Sequence, residues 1–180
     1  MKKLNNITLT GMPGSGKSLI GKLLARKLGF KFIDGDEYIE RKEKMSLQKI
    51  IDTKGDDVFL QIEEKRILEL LPLKNCILAP GGSIIYLKKV MNILKDSSVI
   101  IFLDAPINDL KKWLKNKTTR GIVGLSSKSI KKIYNERLPL YKKYADIIIN
   151  CTYQFEKEII NEIIKKLKYE SLHSFSKTSD

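Results

Sequence analysis

At 180 residues the chain is the size of one domain with a substantial core, and no apolar run approaches the roughly 20 residues that a membrane-spanning helix requires. The net charge of +13 is an excess of lysine scattered along predicted helix faces, with no helix-turn-helix, zinc finger or aromatic RNA platform beside it. Charge of that kind supports only non-specific attraction to polyanions, so neither a specific nucleic-acid partner nor a membrane is expected.

Residues 6–10 read as a short apolar strand. It runs into Gly11-Met12-Pro13-Gly14-Ser15-Gly16-Lys17-Ser18, which meets the phosphate-loop pattern G-x-x-x-x-G-K-[ST] at every fixed position, and 17–28 follow as a helix. Strand, loop and helix in that order are the context the motif demands. The glycines let successive N–H groups turn inward around a triphosphate, Lys17 adds a mobile positive charge, and Ser18 supplies a hydroxyl for Mg²⁺. The helix that starts there points the positive end of its dipole at the phosphates.

A second strand over 31–34 ends in Asp34-Gly35-Asp36, two carboxylates one glycine apart, at the strand end where open parallel sheets collect ligands. Asp36 is also the expected N-cap of a helix over 37–44, a role compatible with a site. Helices follow over 46–53 and 56–71, the second with Val58, Phe59, Ile62, Ile67, Leu70 and Leu71 on an apolar face closed by Pro72. The strand over 75–79 stops at Pro80-Gly81-Gly82-Ser83. Its tandem glycines read equally as a tight connection or as close backbone approach to a substrate.

After a helix over 87–94, the near-continuous apolar run over 98–104 suits the middle of a parallel sheet covered on both faces. Pro106 opens a helix to residue 115. Residues 116–127 are polar and glycine-punctuated around Arg120-Gly121-Ile122-Val123-Gly124, a candidate mobile lid. Helix 129–144 persists despite Pro139, followed by a last strand over 146–150 and a last helix over 155–167. The serine-rich tail, 169–180, is expected to be disordered. Cys76 and Cys151 form neither a metal pattern nor a disulfide framework and read as buried free thiols. Five strands alternating with helices give an α/β domain with a five-stranded parallel sheet sandwiched by helices. In a chain this rich in lysine there are only five arginines, and Arg120 in a glycine loop and Arg137 beside a proline are the two placed to use a planar fork.

From about residue 5 to 167 the chain resembles the shikimate kinase family, phosphate-loop kinases related to nucleoside monophosphate kinases. Beyond the loop, Phe32-Ile33-Asp34-Gly35-Asp36 is similar to F-x-D-x-D, and Gly55-Asp56-Asp57-Val58-Phe59-Leu60-Gln61-Ile62-Glu63 to G-E-x-x-F-R-x-x-E. Gly81-Gly82 resembles the G-G-G substrate loop, Arg120 the lid arginine, and Arg137-Leu138-Pro139-Leu140-Tyr141 the pattern R-x-P-x-Y. The resemblance implies a single kinase domain over 1–168 with its lid at 116–127, using ATP and Mg²⁺ to phosphorylate a small hydroxylated acceptor, first of all shikimate, in a cytoplasmic monomer. It implies that Lys17 and the loop bind the β and γ phosphates and that Ser18 ligates Mg²⁺, which Asp34 reaches through water while helping to accept the hydroxyl's proton. Asp36 would bind acceptor hydroxyls, Arg137 an acceptor carboxylate, and Arg120 the transferring phosphoryl. Three departures touch the acceptor and base sites. Leu60 stands where the family pairs an arginine with the shikimate carboxylate, Ser83 adds a side chain at the third glycine, and Trp113 stands about where the family has an adenine-stacking arginine, a ring that reads equally as a base-stacking or a core-packing residue. Arg66, six residues on and on another helix face, is not placed to replace the missing cation. The departures leave open a kinase of another hydroxy acid or polyol, and a nucleotide-binding regulator without catalysis is the reading from a different class.

Overall fold

The computed structural model describes residues 5–115, 121–152 and 155–175, with backbone alone for 112–115 and 170–175. In chain order the elements are β1 (Asn6–Thr10), α1 (Lys17–Leu28), β2 (Lys31–Asp34), α2 (Gly35–Glu43), α3 (Leu47–Lys54), α4 (Asp56–Leu68) and β3 (Cys76–Ala79). After a 3₁₀ turn at Ile84–Tyr86 come α5 (Lys88–Ser97), β4 (Val99–Asp104), α6 (Ile107–Lys115), α7 (Ile130–Tyr144), β5 (Ile147–Asn150) and α8 (Glu156–Phe175). The five strands form one parallel sheet in the order β2-β3-β1-β4-β5, with β1 at its centre. Every strand therefore ends on the same edge, and the loops after β1, β2 and β3 meet there.

Alternation along the strands divides the core into two layers. Leu78, Ile100 and Phe102 face one side, where Ile84, Met91 and Tyr141 cover them; Ile77, Ile101 and Leu103 face the other, against Leu24, Ile160 and Ile163. Both faces are thus apolar, which explains why β4 reads as an unbroken hydrophobic run. A smaller cluster of Ile39, Leu47, Ile50 and Phe59 holds α2, α3 and α4 together and takes in Val123 from the segment before α7. On the edge strand β5, Ile148 is exposed, and its carbonyl accepts a hydrogen bond of 2.7 Å from Lys166 Nζ. Among the described residues no helix is long and apolar enough to cross a membrane.

Five local expectations change. Helix α2 starts at Gly35 because Asp34, and not Asp36, is its N-cap, accepting from the N–H groups of Asp36 and Glu37. Helix α4 ends at Leu68 instead of 71: Leu70 and Leu71 donate three residues back, to Ile67 and Leu68, tightening the chain ahead of Pro72. Its buried stripe is Phe59, Glu63 and Ile67, at i, i+4 and i+8, whereas Val58 is exposed. Helix α8 runs to Phe175, past the expected stop at 167, since no glycine or proline interrupts 156–175. Of the two free thiols Cys76 is buried and Cys151 only partly so.

Ile101 is fully buried at the middle of β4. We expect Ile101→Ala to cost about 2–5 kcal/mol, read as a lowered urea midpoint with an unchanged slope.

Candidate active site

The phosphate loop follows from β1 and caps α1. Gly14 and Gly16 both hold φ of 87°, a region closed to most side chains, and Gly16 is itself the N-cap of α1. Ser15 Oγ is buried and has no hydrogen-bond partner among the described residues. Lys17 Nζ lies back over the loop, donating to the carbonyls of Gly11 (2.9 Å) and Met12 (3.1 Å). Ser18 Oγ donates to Asp34 Oδ2 at 2.5 Å, joining the first turn of α1 to the end of β2.

The other side of the cleft is built by β3 and α7. Tyr141 Oη donates to the Gly82 carbonyl at 2.6 Å and stacks on Phe102, so the glycine turn after β3 is pinned to the core. One turn away along α7, Arg137 is almost wholly buried; its Nη2 donates to the Val123 carbonyl at 2.9 Å and its Nε to Tyr86 Oη at 3.3 Å. The guanidinium lies over the Tyr86 ring, 5.2 Å from its centroid. Its Nη1 is 3.0 Å from the point where a Cβ on Gly82 would stand. The segment before α7 is seated on α3 and α4. Gly121 packs against the Leu47 backbone, 2.7 Å from where its Cβ would be, and Gly124 N–H donates to Asp56 Oδ2 at 2.9 Å.

Lys17, Asp36, Gly81, Gly82, Ser83 and Arg137 line one cleft, closed on the far side by Ile122 and Val123. Leu60 is not part of that lining: it is half-buried and packs against the apolar clusters at α4. Arg66 is held by Glu43 (2.7 Å) and Glu69 (2.6 Å), away from the cleft. Arg120 lies outside the described residues, as does the side chain of Trp113, whose backbone is in α6.

One residue that sequence reasoning gave no role is central here. Glu63 is fully buried behind the glycine turn; its Oε2 accepts from Ser83 Oγ at 2.7 Å, and Oε1 has no hydrogen-bond partner among the described residues. A Cβ on Gly81 would lie 2.7 Å from Glu63 Oε1 and 2.8 Å from Asp36 Oδ1, so any side chain at this position would collide with both carboxylates. Burial pushes the Glu63 carboxyl up to about 7; Asp36 pushes the same way, and the Ser83 hydrogen bond, Arg137 and Lys17 oppose it. The available signal was a glutamate on the Phe59–Ile67 stripe, a position that faces the core.

A raised pKa in the folded state means that the native chain keeps a proton the unfolded chain releases, so this group lowers stability as pH rises from about 4.5 to 7. We expect Glu63→Gln to gain stability relative to the unsubstituted chain over that window, by an amount on the order of 3 kcal/mol at most. Denaturant midpoints of both at pH 5 and pH 8 check it.

Comparison with known proteins agrees with this arrangement. The family model described as shikimate kinase matches residues 13–168. The shikimate kinase of Thermodesulfovibrio yellowstonii is 37% identical, the alignment covering 94% of this chain and 97% of the relative. That of Sulfurihydrogenibium sp. is 34% identical over 92% of this chain and 99% of the relative. Among solved structures, the shikimate kinase from Acinetobacter baumannii in complex with shikimate superposes with a TM-score of 0.87 at 26% identity, covering 95% of this chain and 97% of that one. With its phosphate loop, glycine turn and buried arginine meeting in one cleft, the chain belongs to the shikimate kinase family.

Proposed function

We propose that this chain transfers the γ-phosphoryl group of ATP to a hydroxyl of shikimate. The observation that carries this is the single cleft in which Lys17 faces Asp36, Gly81, Gly82 and Arg137, so that a donor on the loop and an acceptor on the glycine turn lie side by side. The relatives are named shikimate kinases and the A. baumannii neighbour holds shikimate, which supports that acceptor.

The residues divide the work by charge. Gly11, Met12, Pro13, Gly14, Ser15 and Gly16 form the loop around the β and γ phosphates, whose backbone N–H groups, absent only at Pro13, face them at the positive end of α1, and Lys17 exchanges its loop carbonyls for phosphate oxygens. The buried Ser15 hydroxyl and the open φ of Gly14 and Gly16 suit such a polyanion. Mg²⁺ fits the pair of hard oxygens of Ser18 and Asp34, the latter through water. Among the described residues no cluster of three or more His, Cys, Asp or Glu forms a protein cage, as suits an ion that keeps most of its shell for water and phosphate. When bound, it supplies neutralisation of phosphate charge. Asp34 helps to accept the proton of the attacking hydroxyl, and Asp36 receives hydrogen bonds from the acceptor's hydroxyls. The acceptor lies on the Gly81–Gly82–Ser83 turn, and Arg137 holds its carboxylate with a charge-assisted pair. Arg120, from the lid at 116–127, neutralises charge on the phosphoryl in flight, and Trp113 stacks on adenine; both assignments rest on sequence position. Ile122 and Val123 bring apolar surface over the cleft and keep water from competing as acceptor.

The packing of Leu60 against the core leaves Arg137 as the guanidinium on the acceptor side among the described residues, and this favours one other reading, a kinase of a different hydroxy acid or of a polyol. Coupled ADP release with Mg²⁺ and ATP, comparing shikimate with hydroxy acids, polyols and nucleoside monophosphates, decides between them; shikimate is expected to be turned over fastest, and a different preferred acceptor overturns the proposal. In the same assay Lys17→Ala and Arg120→Ala are each expected to lower kcat at least about a hundredfold with folding intact. Leu60→Arg is expected to lower KM for shikimate by about tenfold, the gain from one added charged pair.

A further inference from the structure

Among the described residues no cation forms an ion pair with the buried Glu63 carboxylate, which Arg137 and Lys17 reach only through their fields. On its helix, position i−3 is Leu60 and i−4 is Phe59, both apolar, and the i+3 residue Arg66 is committed to Glu43 and Glu69. The one hydrogen bond that reaches Glu63 among the described residues comes from Ser83, at 2.7 Å. Ser83 is itself buried, and its hydroxyl is spent on that carboxylate instead of projecting toward an acceptor. Glu63 in turn meets the acceptor side at Gly81, where the space a side chain would need is taken by Glu63 Oε1 and Asp36 Oδ1 together.

From this arrangement we infer that Ser83 is a positioning residue for acceptor binding: its hydroxyl holds Glu63 in place, and Glu63 sets the spacing of Gly81 and Asp36 against the acceptor. The inference deepens the kinase reading and rests on it. Ser83 acts as the neutral counterpart of an absent ion pair. It fixes the direction of the carboxylate and favours its ionised form, without adding a second positive charge to a cleft that already holds Lys17 and Arg137. The charged and titratable groups facing Glu63 are Asp36 on α2, Lys17 at the start of α1, and Arg137 and Tyr141 on α7. With Ser83 removed, burial and the Asp36 charge are opposed by Arg137 and Lys17 alone, so the carboxyl takes up a proton at higher pH.

The test is steady-state kinetics of the full chain with Mg-ATP and shikimate from pH 5.5 to 9, for Ser83→Ala, Ser83→Thr, Glu63→Gln and the double variant Ser83→Ala/Glu63→Gln. Ser83→Ala is expected to raise KM for shikimate about tenfold with KM for ATP changed less than about twofold, and to move the acid limb of kcat/KM to higher pH. Ser83→Thr, which keeps the hydroxyl, is expected to restore both. In the Glu63→Gln background the same alanine is expected to cost less than about twofold more, because its partner's charge is already gone. An unchanged acceptor KM and acid limb in Ser83→Ala overturns the inference, as does an equal cost with and without the Glu63 carboxylate, or a threonine variant no better than alanine. If Ser83→Ala does not fold, the comparison of Ser83→Thr with the unsubstituted chain decides: a retained acid limb supports the role, and a limb displaced to higher pH overturns it. Failure of the unsubstituted chain to use shikimate overturns the functional reading instead, and is distinguishable because it precedes any substitution.

Discussion

The Asp34 carboxylate sits where the two halves of the cleft are joined, and the placement of everything around it depends on how its two oxygens are used. Oδ1 accepts from the first N–H groups of α2, and Oδ2 from Ser18 at the start of α1. Two helix N-termini are thereby fixed to the end of a single strand, within the reach of one side chain. A negative charge at that point is favourable for both helix dipoles, and it sets the phosphate loop and the acid-bearing helix at a constant separation. The acceptor side is then hung from the same strand edge by β3, with Tyr141 and the Gly82 carbonyl as its fastening.

This cleft concentrates charge of both signs in a space largely closed to solvent. Lys17 and Arg137 confront Asp36 and Glu63, and the latter is accommodated by a shifted pKa, a neutral hydroxyl donor and the field of the two cations. Burying an unpaired carboxylate costs several kcal/mol, so Ser83 and the nearby cations offset a penalty that the chain carries for the sake of the site. The scattered lysines that make up the net charge play no part in that balance: Lys22, Lys111 and Lys132, for example, are exposed on helix surfaces.

What could be read in the sequence was whatever depends on a few adjacent residues. The strand–loop–helix context of residues 11–18, the five strands and their parallel pairing follow from local spacing and from the burial of both sheet faces, and the structure bears them out. What could not be read depends on three-dimensional competition. From the sequence Asp36 is the expected N-cap of α2, whereas Asp34 caps it, with Ser18, sixteen residues earlier, bonded to its other oxygen. Ser83 looked like an obstruction at a substrate loop because nothing local tells that a glutamate twenty residues earlier waits behind it. Leu60 is apolar where the family pattern is basic, and its side chain simply joins the core clusters.

The open edge of the sheet has a consequence of its own. An unpaired edge strand is a template on which a strand of another molecule can add. Here the Ile148 carbonyl is already taken by Lys166, so an incoming strand would have to break that bond and strand an ammonium group at the new seam. Every copy of the chain also carries the same large positive charge, so the approach itself is repelled at low salt. Raising the ionic strength would weaken the repulsion and leave the lysine cap as the remaining guard against fibre-like stacking along β5.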